Sequence, residues 1–246
     1  MRVALHVSGL IRRNEKGYKQ IESFLLEPNR QHQIDIYLDI WSNKISKYEN
    51  RGGEWRQHRR SQINVSDKHD INQIYNMYNP IAMCVENDED ARYFHEMASM
   101  VKNGRTEKST PYSQLSQFYK LYCVSKLRNI REQSLGIKYD LCVRTREELK
   151  YPKEIIFDDF DVSGNKIYVE NEGYAMNWIS DKFAISSSET FDRYAELFNN
   201  FLEINSIRSK DSSELVTAEP YLKHWLIDMS ELNVIKDDRI GMLGRW

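Results

Sequence analysis

The chain has almost no net charge. Lys and Arg total 35 against 37 Asp and Glu, which gives a formal charge of -2 at pH 7. A protein that binds nucleic acid or a membrane surface over a broad area carries a clear excess of basic residues. The balance therefore excludes a general polyanion-binding protein, and any anionic ligand must meet a local cluster of cations.

Cysteine is scarce, and the N-terminal segment has no long hydrophobic run. The three cysteines, Cys84, Cys123 and Cys142, are far apart in the sequence and odd in number. This usage fits buried thiols in a reducing compartment better than a disulfide framework. The apolar stretch near the N-terminus is short and interrupted by His6 and Ser8, which is less than a signal peptide or a membrane span needs. We expect a cytoplasmic protein with no membrane span.

Several common catalytic motifs are also absent. The sequence contains neither a GxxxxGK[ST] loop nor a GxGxxG fingerprint after a strand, which disfavours P-loop chemistry and the usual mode of nicotinamide binding. It contains no HExxH, CxxC or GxSxG motif either, so a zinc site or a serine nucleophile of the hydrolase type is not indicated. The remaining candidates are polar residues at the ends of predicted strands.

The hydropathy pattern predicts strands and helices that alternate along the chain. Period-two patterns near residues 3–8 and 34–40 flank apolar residues at helical spacing, which predicts a strand–helix–strand crossover. Further strands are predicted near residues 81–85, 139–143, 155–157, 166–170, 182–185 and 233–236, and helices near 71–78, 89–101, 111–136, 187–198 and 217–227. No repeat or linker divides the chain. We expect one α/β domain with a central mixed, mostly parallel sheet flanked by helices.

Ligands bind open α/β sheets outside the carboxyl ends of the strands. After the first predicted strand come Ser8, Gly9 and Arg12. Glycine lets a ligand approach the backbone closely, and arginine can bind a phosphate through two N–H groups. An ordinary turn with solvated arginines would give the same pattern.

A denser cluster follows the strand near residues 139–143. Arg144 and Arg146 stand beside Glu147 and Glu148, so cations for phosphate oxygens and carboxylates for a divalent metal occur together. A purely structural salt-bridge cluster is the alternative. Farther along, Asp181 precedes another predicted strand, where it can be an acceptor-side base or only a cap.

Several motifs taken together resemble one family. They are Ser8-Gly9-Leu10-Ile11-Arg12, the strand Ile34 to Ile40 followed by Trp41, Gln114 or Gln117 with Lys120 in the long helix, and Tyr139 to Leu149. In this order they resemble small glycosyltransferases with a GT-A-like fold from phages, large DNA viruses and bacterial surface-polysaccharide loci. Later segments near residues 181–198 and 218–226 fit the same family, so the resemblance covers nearly the whole chain.

The resemblance implies a single GT-A-like, Rossmann-like domain over residues 1–246, with a nucleotide-binding half (1–150) and an acceptor-side half (151–246). It implies a hexosyltransferase that takes a sugar from a nucleotide-diphosphate-sugar, a UDP-sugar foremost, to a glycan or glycoprotein acceptor. The setting would be viral or bacterial polysaccharide biosynthesis, in the host cytoplasm if the source is viral. Nucleic acid is not among the implied partners.

The resemblance also implies roles for individual residues. Those expected to bind the donor and its diphosphate are Ser8, Gly9, Arg12, Gln117, Lys120, Arg144 and Arg146. Mn²⁺ or Mg²⁺ would be held by Glu148 with Glu147, and Glu148 stands where the family usually has an aspartate. Asp159 and Asp161 match an Asp-x-Asp motif by letter and are an alternative metal pair. Asp181 or Glu219 would deprotonate the acceptor in an inverting reaction, whereas a retaining reaction needs no such base.

Two further hypotheses stay open. The replacement of the family's aspartate by Glu148 suggests a non-catalytic nucleotide- or glycan-binding protein with the same fold. Residues 51–60, RGGEWRQHRR, interleave Trp55 with cations and could contact RNA, although a solvated loop is the simpler interpretation.

Overall fold

A computed structural model describes residues 1–11, 14–42, 71–87, 91–102, 112–171, 178–208, 218–241 and 243–245. The strands are β1 (Arg2–Leu10), β2 (Gln33–Trp41), β3 (Ala82–Glu86), β4 (Leu141–Thr145), β5 (Leu149–Lys150), β6 (Lys166–Glu170), β7 (Ala184–Ser186), β8 (Asn233–Asp237) and β9 (Gly244–Arg245). The helices are α1 (Asn14–Ile21), α2 (Ile71–Tyr78), α3 (Arg92–Lys102), α4 (Tyr112–Leu135), α5 (Ser188–Ala195), α6 (Phe201–Arg208) and α7 (Ala218–Lys223). Helices α1 and α7 continue as π-helical turns over Glu22–Leu26 and His224–Met229. Short 3-10 turns cover Glu27–Asn29 and Phe157–Asp159.

Seven strands form one sheet in the order β3-β2-β1-β4-β7-β6-β8, and β5 pairs with β9 in a separate small sheet. The pairings of β1 with β2 and β4, of β2 with β3 and of β6 with β8 are parallel. Only β7 runs against its two neighbours in this sheet. The predicted fold class, α/β with a mixed and mostly parallel sheet flanked by helices, is therefore confirmed.

The chain order reverses between β1 and β4. The chain builds outward from β1 to β2 and β3, then crosses back to place β4 on the other side of β1. Such a switch point leaves a crevice at the carboxyl ends of the two strands. Because β7 is antiparallel to β4, the residues that lead into β7 reach this same edge of the sheet.

Both faces of the sheet are buried, because side chains alternate between them along each strand. On one face Tyr37 and Cys142 pack with α4, and on the other Leu38 and Val143 pack with α1. The strands in the middle of the sheet therefore need apolar residues on both sides. This arrangement leaves the strand ends as the places where polar side chains gather.

Two predicted helix ends are confirmed by the backbone. Helix α4 stops at Gly136, whose φ of 62° is in the left-handed region that favours glycine. Helix α5 is capped by Ser187, whose hydroxyl accepts the N–H of Thr190 at 3.2 Å. The predicted start of α4, near residue 111, lies outside the described residues.

The strand predicted near residues 155–157 is wrong. Ile155 and Phe157 are buried in the core on the α1 side, but the segment leads into the 3-10 turn Phe157–Asp159 and pairs with no strand of the described chain. The segment makes hydrogen bonds with the side chain of Asn29 and not with a neighbouring strand: Asn29 donates to the Ile155 carbonyl at 2.7 Å and accepts the Phe157 N–H at 2.8 Å.

Helix α6 was not predicted from the sequence. Across the part of the chain that the structure describes, no helix has both the length and the apolar character to cross a membrane.

Gly17 lets α1 approach the turn that follows β4. A Cβ atom at Gly17 would lie 2.3 Å from the main-chain oxygen of Glu147 and 2.5 Å from its Oε1. These distances are far below van der Waals contact, and the main-chain oxygen cannot move without shifting the turn. The helix and the turn therefore fix each other's position.

We predict that Gly17→Ala lowers the free energy of unfolding by about 1–3 kcal/mol, the usual cost of overpacking, even though alanine is the better helix former by about 1 kcal/mol. Urea unfolding of both proteins measures the difference. Gly244→Ala is the matched control, because its Cβ would meet Lys150 Cβ at 3.5 Å, an ordinary contact. A Gly17→Ala protein as stable as the wild type would show that the turn yields freely.

Candidate functional site

The carboxyl ends of β1 and β4 meet at the switch point. In the parallel pairing Val7 is opposite Thr145, so Ser8 and Gly9 lie level with the residues that follow β4. Gly9 has a φ of 113°, and an added Cβ would find no atom within 4 Å among the described residues. As far as the described residues go, the space beside the backbone of Gly9 is therefore open.

Four predicted site residues come together at this edge, and we call them the Arg146 cluster: Arg146, Gln117, Glu148 and Asp181. Arg146 Nη1 donates to Gln117 Oε1 at 2.8 Å and to Asp181 Oδ2 at 3.2 Å. Its Nη2 donates to Glu148 Oε1. Gln117 Nε2 in turn donates to the main-chain oxygen of Asp181 at 3.4 Å. One guanidinium therefore joins α4, the turn after β4 and the segment that leads into β7.

The Arg146 cluster is mostly shielded from water. The side chains of Arg146, Glu148 and Asp181 are 16%, 9% and 6% exposed. Burial lowers the pKa of Arg146, but the neighbouring carboxylates of Glu148 and Asp181 outweigh burial and raise it. With both acids ionised the cluster carries one more negative charge than positive, so a divalent cation or a hydroxyl proton complements it.

Arg144 lies behind the Arg146 cluster. Its side chain is fully buried, and its Nη1 donates to the hydroxyl of Tyr194 in α5. The ring centroid of Tyr194 is 5.8 Å from the guanidinium carbon of Arg144. The Nε and Nη2 groups have no hydrogen-bond partner within the described part of the chain. Since a buried charge is screened weakly, Arg144 adds positive potential at the edge without being exposed there.

Lys120 belongs to a second group of charges at the ends of β2 and β3. Its Nζ lies 2.7 Å from Asp39 Oδ1, 2.8 Å from Glu86 Oε2 and 3.9 Å from the centroid of the Trp41 ring. Tyr119 donates its hydroxyl to Glu86 Oε1 at 2.8 Å. Lys120 is fully buried and these contacts bind it within the protein. Any effect of Lys120 on a donor would therefore pass through Glu86, whose side chain is 21% exposed.

The two predicted metal ligands diverge. Glu148 joins the Arg146 cluster, whereas Glu147 has its carboxylate against α1, next to Gly17. The ranges that the structure describes hold no group of three or more His, Cys, Asp or Glu side chains placed for a metal ion. Magnesium sites that also use substrate phosphates need only one or two carboxylates, and Glu148 fits that smaller role.

The other predicted residues lie elsewhere. Glu219 is in the first turn of α7, which packs against α6. Asp161 is at the surface and pairs with Lys166, while Asp159 is in a 3-10 turn and its carbonyl accepts from Arg239. Arg12 and residues 51–60 lie outside the described residues.

Sequence reasoning missed two carboxylates at this edge, Glu86 and Glu170. Glu86 is the last residue of β3 and Glu170 the last residue of β6. A single acid after a short apolar run is the signal that could have found them. Glu170 is fully buried, and it binds Ser180 and Lys182, the two residues that flank Asp181 in the chain.

We predict a pH-dependent contribution of Asp39 to stability. Burial raises the pKa of Asp39 from 3.8 to about 6, and Lys120 only partly opposes this rise. The folded chain then holds a proton that the unfolded chain releases, so stability falls as pH rises through this window. Asp39→Asn removes the titration, and the wild type should lose about 2 kcal/mol more than the variant between pH 4 and pH 6.

Urea unfolding at several pH values measures this difference. Asp238→Asn is the control, because the carboxyl that it removes is exposed to solvent and not buried. If the stability curves of the wild type and Asp39→Asn run parallel from pH 4 to pH 6, burial does not hold a proton on Asp39.

No protein-family model matches the sequence, and no curated protein matches it. The geometry of the switch point and the motifs of the sequence must therefore carry any proposal about function.

Proposed function

We propose that the protein is a glycosyltransferase that moves a sugar from a nucleotide-diphosphate-sugar to a hydroxyl acceptor. The observation that carries this proposal is the Arg146 cluster: a buried guanidinium bonded to two carboxylates at the carboxyl end of β4. It lies at the switch point of an open α/β sheet, where ligands of such folds bind. Cation and carboxylates together suit a ligand with a diphosphate at one end and a reacting sugar at the other.

The chemistry needs charge at two places. Breaking the anomeric C–O bond develops positive charge on the sugar and negative charge on the departing diphosphate. Arg146 can donate N–H groups to the phosphate oxygens, and buried Arg144 adds positive potential from behind. No described residue fills the space beside Gly9, so the diphosphate can approach the backbone there. These groups are fixed before the donor binds, so they need little reorganisation during transfer.

Glu148 is the residue that would hold Mn²⁺ or Mg²⁺ with the donor phosphates. When bound, such a cation neutralises charge on the leaving diphosphate. Arg146 holds the Glu148 side chain at the sheet edge, and Glu147 lies against α1 instead. We therefore assign the metal role to Glu148 alone.

Asp181 is the acceptor-side carboxylate in this proposal. Its Oδ2 is 3.2 Å from Arg146 Nη1, so it lies beside the group that would bind the phosphates. In an inverting reaction Asp181 takes the proton of the acceptor hydroxyl. Glu219 is less suited because it lies on α7, which packs against α6. A UDP-sugar as donor and a glycan or glycoprotein as acceptor follow from the family resemblance.

A non-catalytic role in binding a nucleotide or glycan is the alternative. Both terminal nitrogens of Arg146 already bind partners inside the protein, which favours a structural role for this guanidinium. Donor binding without turnover would support this alternative, and measured sugar transfer would exclude it.

The first test of function combines a donor panel with Arg146→Ala. The wild type, incubated with UDP-, GDP- and TDP-sugars with and without Mn²⁺, should show thermal stabilisation and donor hydrolysis with one of them. Arg146→Ala should lower that rate by about 10²–10³-fold, the usual effect of removing one preorganised donor. Lys126→Ala is the control, since Lys126 is a surface cation paired with Glu196 at 3.1 Å. A wild type that responds to no donor would refute the proposal.

The second test concerns Asp181. In an inverting enzyme, Asp181→Asn should lower the transfer rate by about 10²–10⁴-fold, the usual contribution of a general base, while donor binding persists. Asp158→Asn, a change at a half-exposed surface carboxylate, should leave the rate unchanged. NMR of the product shows whether the anomeric centre inverts. Inversion at an undiminished rate in Asp181→Asn would remove Asp181 from the role of base.

A further inference from the structure

Glu170 joins three separate parts of the chain through one buried carboxylate. It ends β6 and its side chain is fully buried. Its Oε2 accepts from Ser180 Oγ at 2.7 Å and lies 3.1 Å from Lys182 Nζ. Its Oε1 accepts the main-chain N–H of Leu243. We call Glu170, Ser180, Lys182 and Leu243 the Glu170 clamp.

Lys182 closes the Glu170 clamp from a second direction. Its Nζ also donates to the Leu243 carbonyl at 3.2 Å, so both polar groups of the Leu243 backbone are bound. Burial raises the pKa of Glu170, and the Ser180 hydroxyl and the Lys182 ammonium oppose that rise. Hydrogen bonds to charged groups are the stronger kind, and here three donors converge on one carboxylate.

The residue between the two side-chain donors is Asp181. Because Ser180 and Lys182 both bind Glu170, the backbone on each side of Asp181 is held. The Asp181 main-chain oxygen accepts from Gln117, and its carboxylate reaches Arg146. The Glu170 clamp and the Arg146 cluster therefore both hold the same short segment.

We propose that Glu170 is a positioning residue: it holds residues 180–182 so that the carboxylate of Asp181 meets Arg146. The part that Asp181 plays in transfer rests on the proposed glycosyltransferase function, whereas the holding of the segment does not. Glu170 itself touches no reacting atom. Its effect on the reaction is exerted through the position of Asp181.

Glu132 is a matched residue for a test of this role. It is also a buried carboxylate with several donors: Lys138 at 2.7 Å, Ser188 at 2.6 Å, the Tyr139 N–H at 3.0 Å and Arg128, whose Nη1 lies 2.9 Å from Glu132 Oε2. It lies near the end of α4, next to the start of β4 and so at the opposite edge of the sheet. Losing it should disturb the fold at least as much as losing Glu170, without reaching Asp181.

The experiment compares Glu170→Gln with Glu132→Gln in the full chain. Glutamine turns one acceptor oxygen into an NH₂ group that faces Ser180 or Lys182, so the clamp should loosen. Hydrogen exchange of the amides of residues 178–183 should speed up by at least about tenfold in Glu170→Gln, as expected of a local opening, and stay unchanged in Glu132→Gln. Ser180→Ala removes a single donor and should give a smaller change in the same direction, even if Glu170→Gln folds poorly.

Kinetics separate positioning from general destabilisation. Glu170→Gln should lower kcat by about 10–100-fold, because a small misplacement of a catalytic group has effects of this size, and should change KM for the donor by less than about twofold. In an Asp181→Asn background, Glu170→Gln should lower kcat no further, since both changes remove the same contribution. Glu132→Gln should lower the melting temperature and leave kcat unchanged.

Two results would overturn the inference. Unchanged exchange at residues 178–183 in both Glu170→Gln and Ser180→Ala would show that the clamp does not hold the segment. Equal reductions of kcat by Glu170→Gln with and without Asp181 would show that Glu170 acts by another route. If the wild type transfers no sugar from any donor, the proposed function fails, and the exchange measurement still decides whether Glu170 holds the segment.

Discussion

The hydrogen bonds of one guanidinium hold the candidate site together. Arg146 binds Gln117 of α4, Glu148 in the turn after β4, and Asp181 before β7. These partners come from both halves of the chain, and each is brought to the edge by a different feature of the fold. The turn is positioned by its contact with α1 at Gly17, and Asp181 reaches the edge because β7 is antiparallel. Removing the guanidinium would leave two carboxylates facing each other in a shielded place, which is costly.

Buried charges are a general feature of this chain, which explains why its composition carried so little information. Lys120 lies between Asp39 and Glu86 at one edge of the sheet, and Arg128 pairs with Glu132 and Asp192 at the other. Ions of opposite sign occur together because an unpaired buried charge is destabilising. Such pairs contribute charges of both signs and so add little to the net charge of the chain.

The sequence predicted the features that depend on local pattern. Alternating residues located β1 and β2, and Gly136 marked the end of α4. It did not predict features that depend on tertiary contacts. The apolar residues Ile155 and Phe157 resemble a strand but fill the core beside Asn29. The internal partners of Lys120 and the divergence of Glu147 from Glu148 depend on which helix covers each strand end, and no spacing in the sequence encodes that.

The Glu170 clamp also determines how late in synthesis the segment around Asp181 can be fully held in place. Its last partner is the main-chain N–H of Leu243, more than seventy residues after Glu170. A chain emerging from the ribosome can form β1 to β4 and even the contact between Arg146 and Glu148 long before that residue exists. The segment around Asp181 gains its full set of restraints only when residue 243 has been synthesised and has folded back. Partly made chains would therefore carry Arg146 and Glu148 before Asp181 is held beside them.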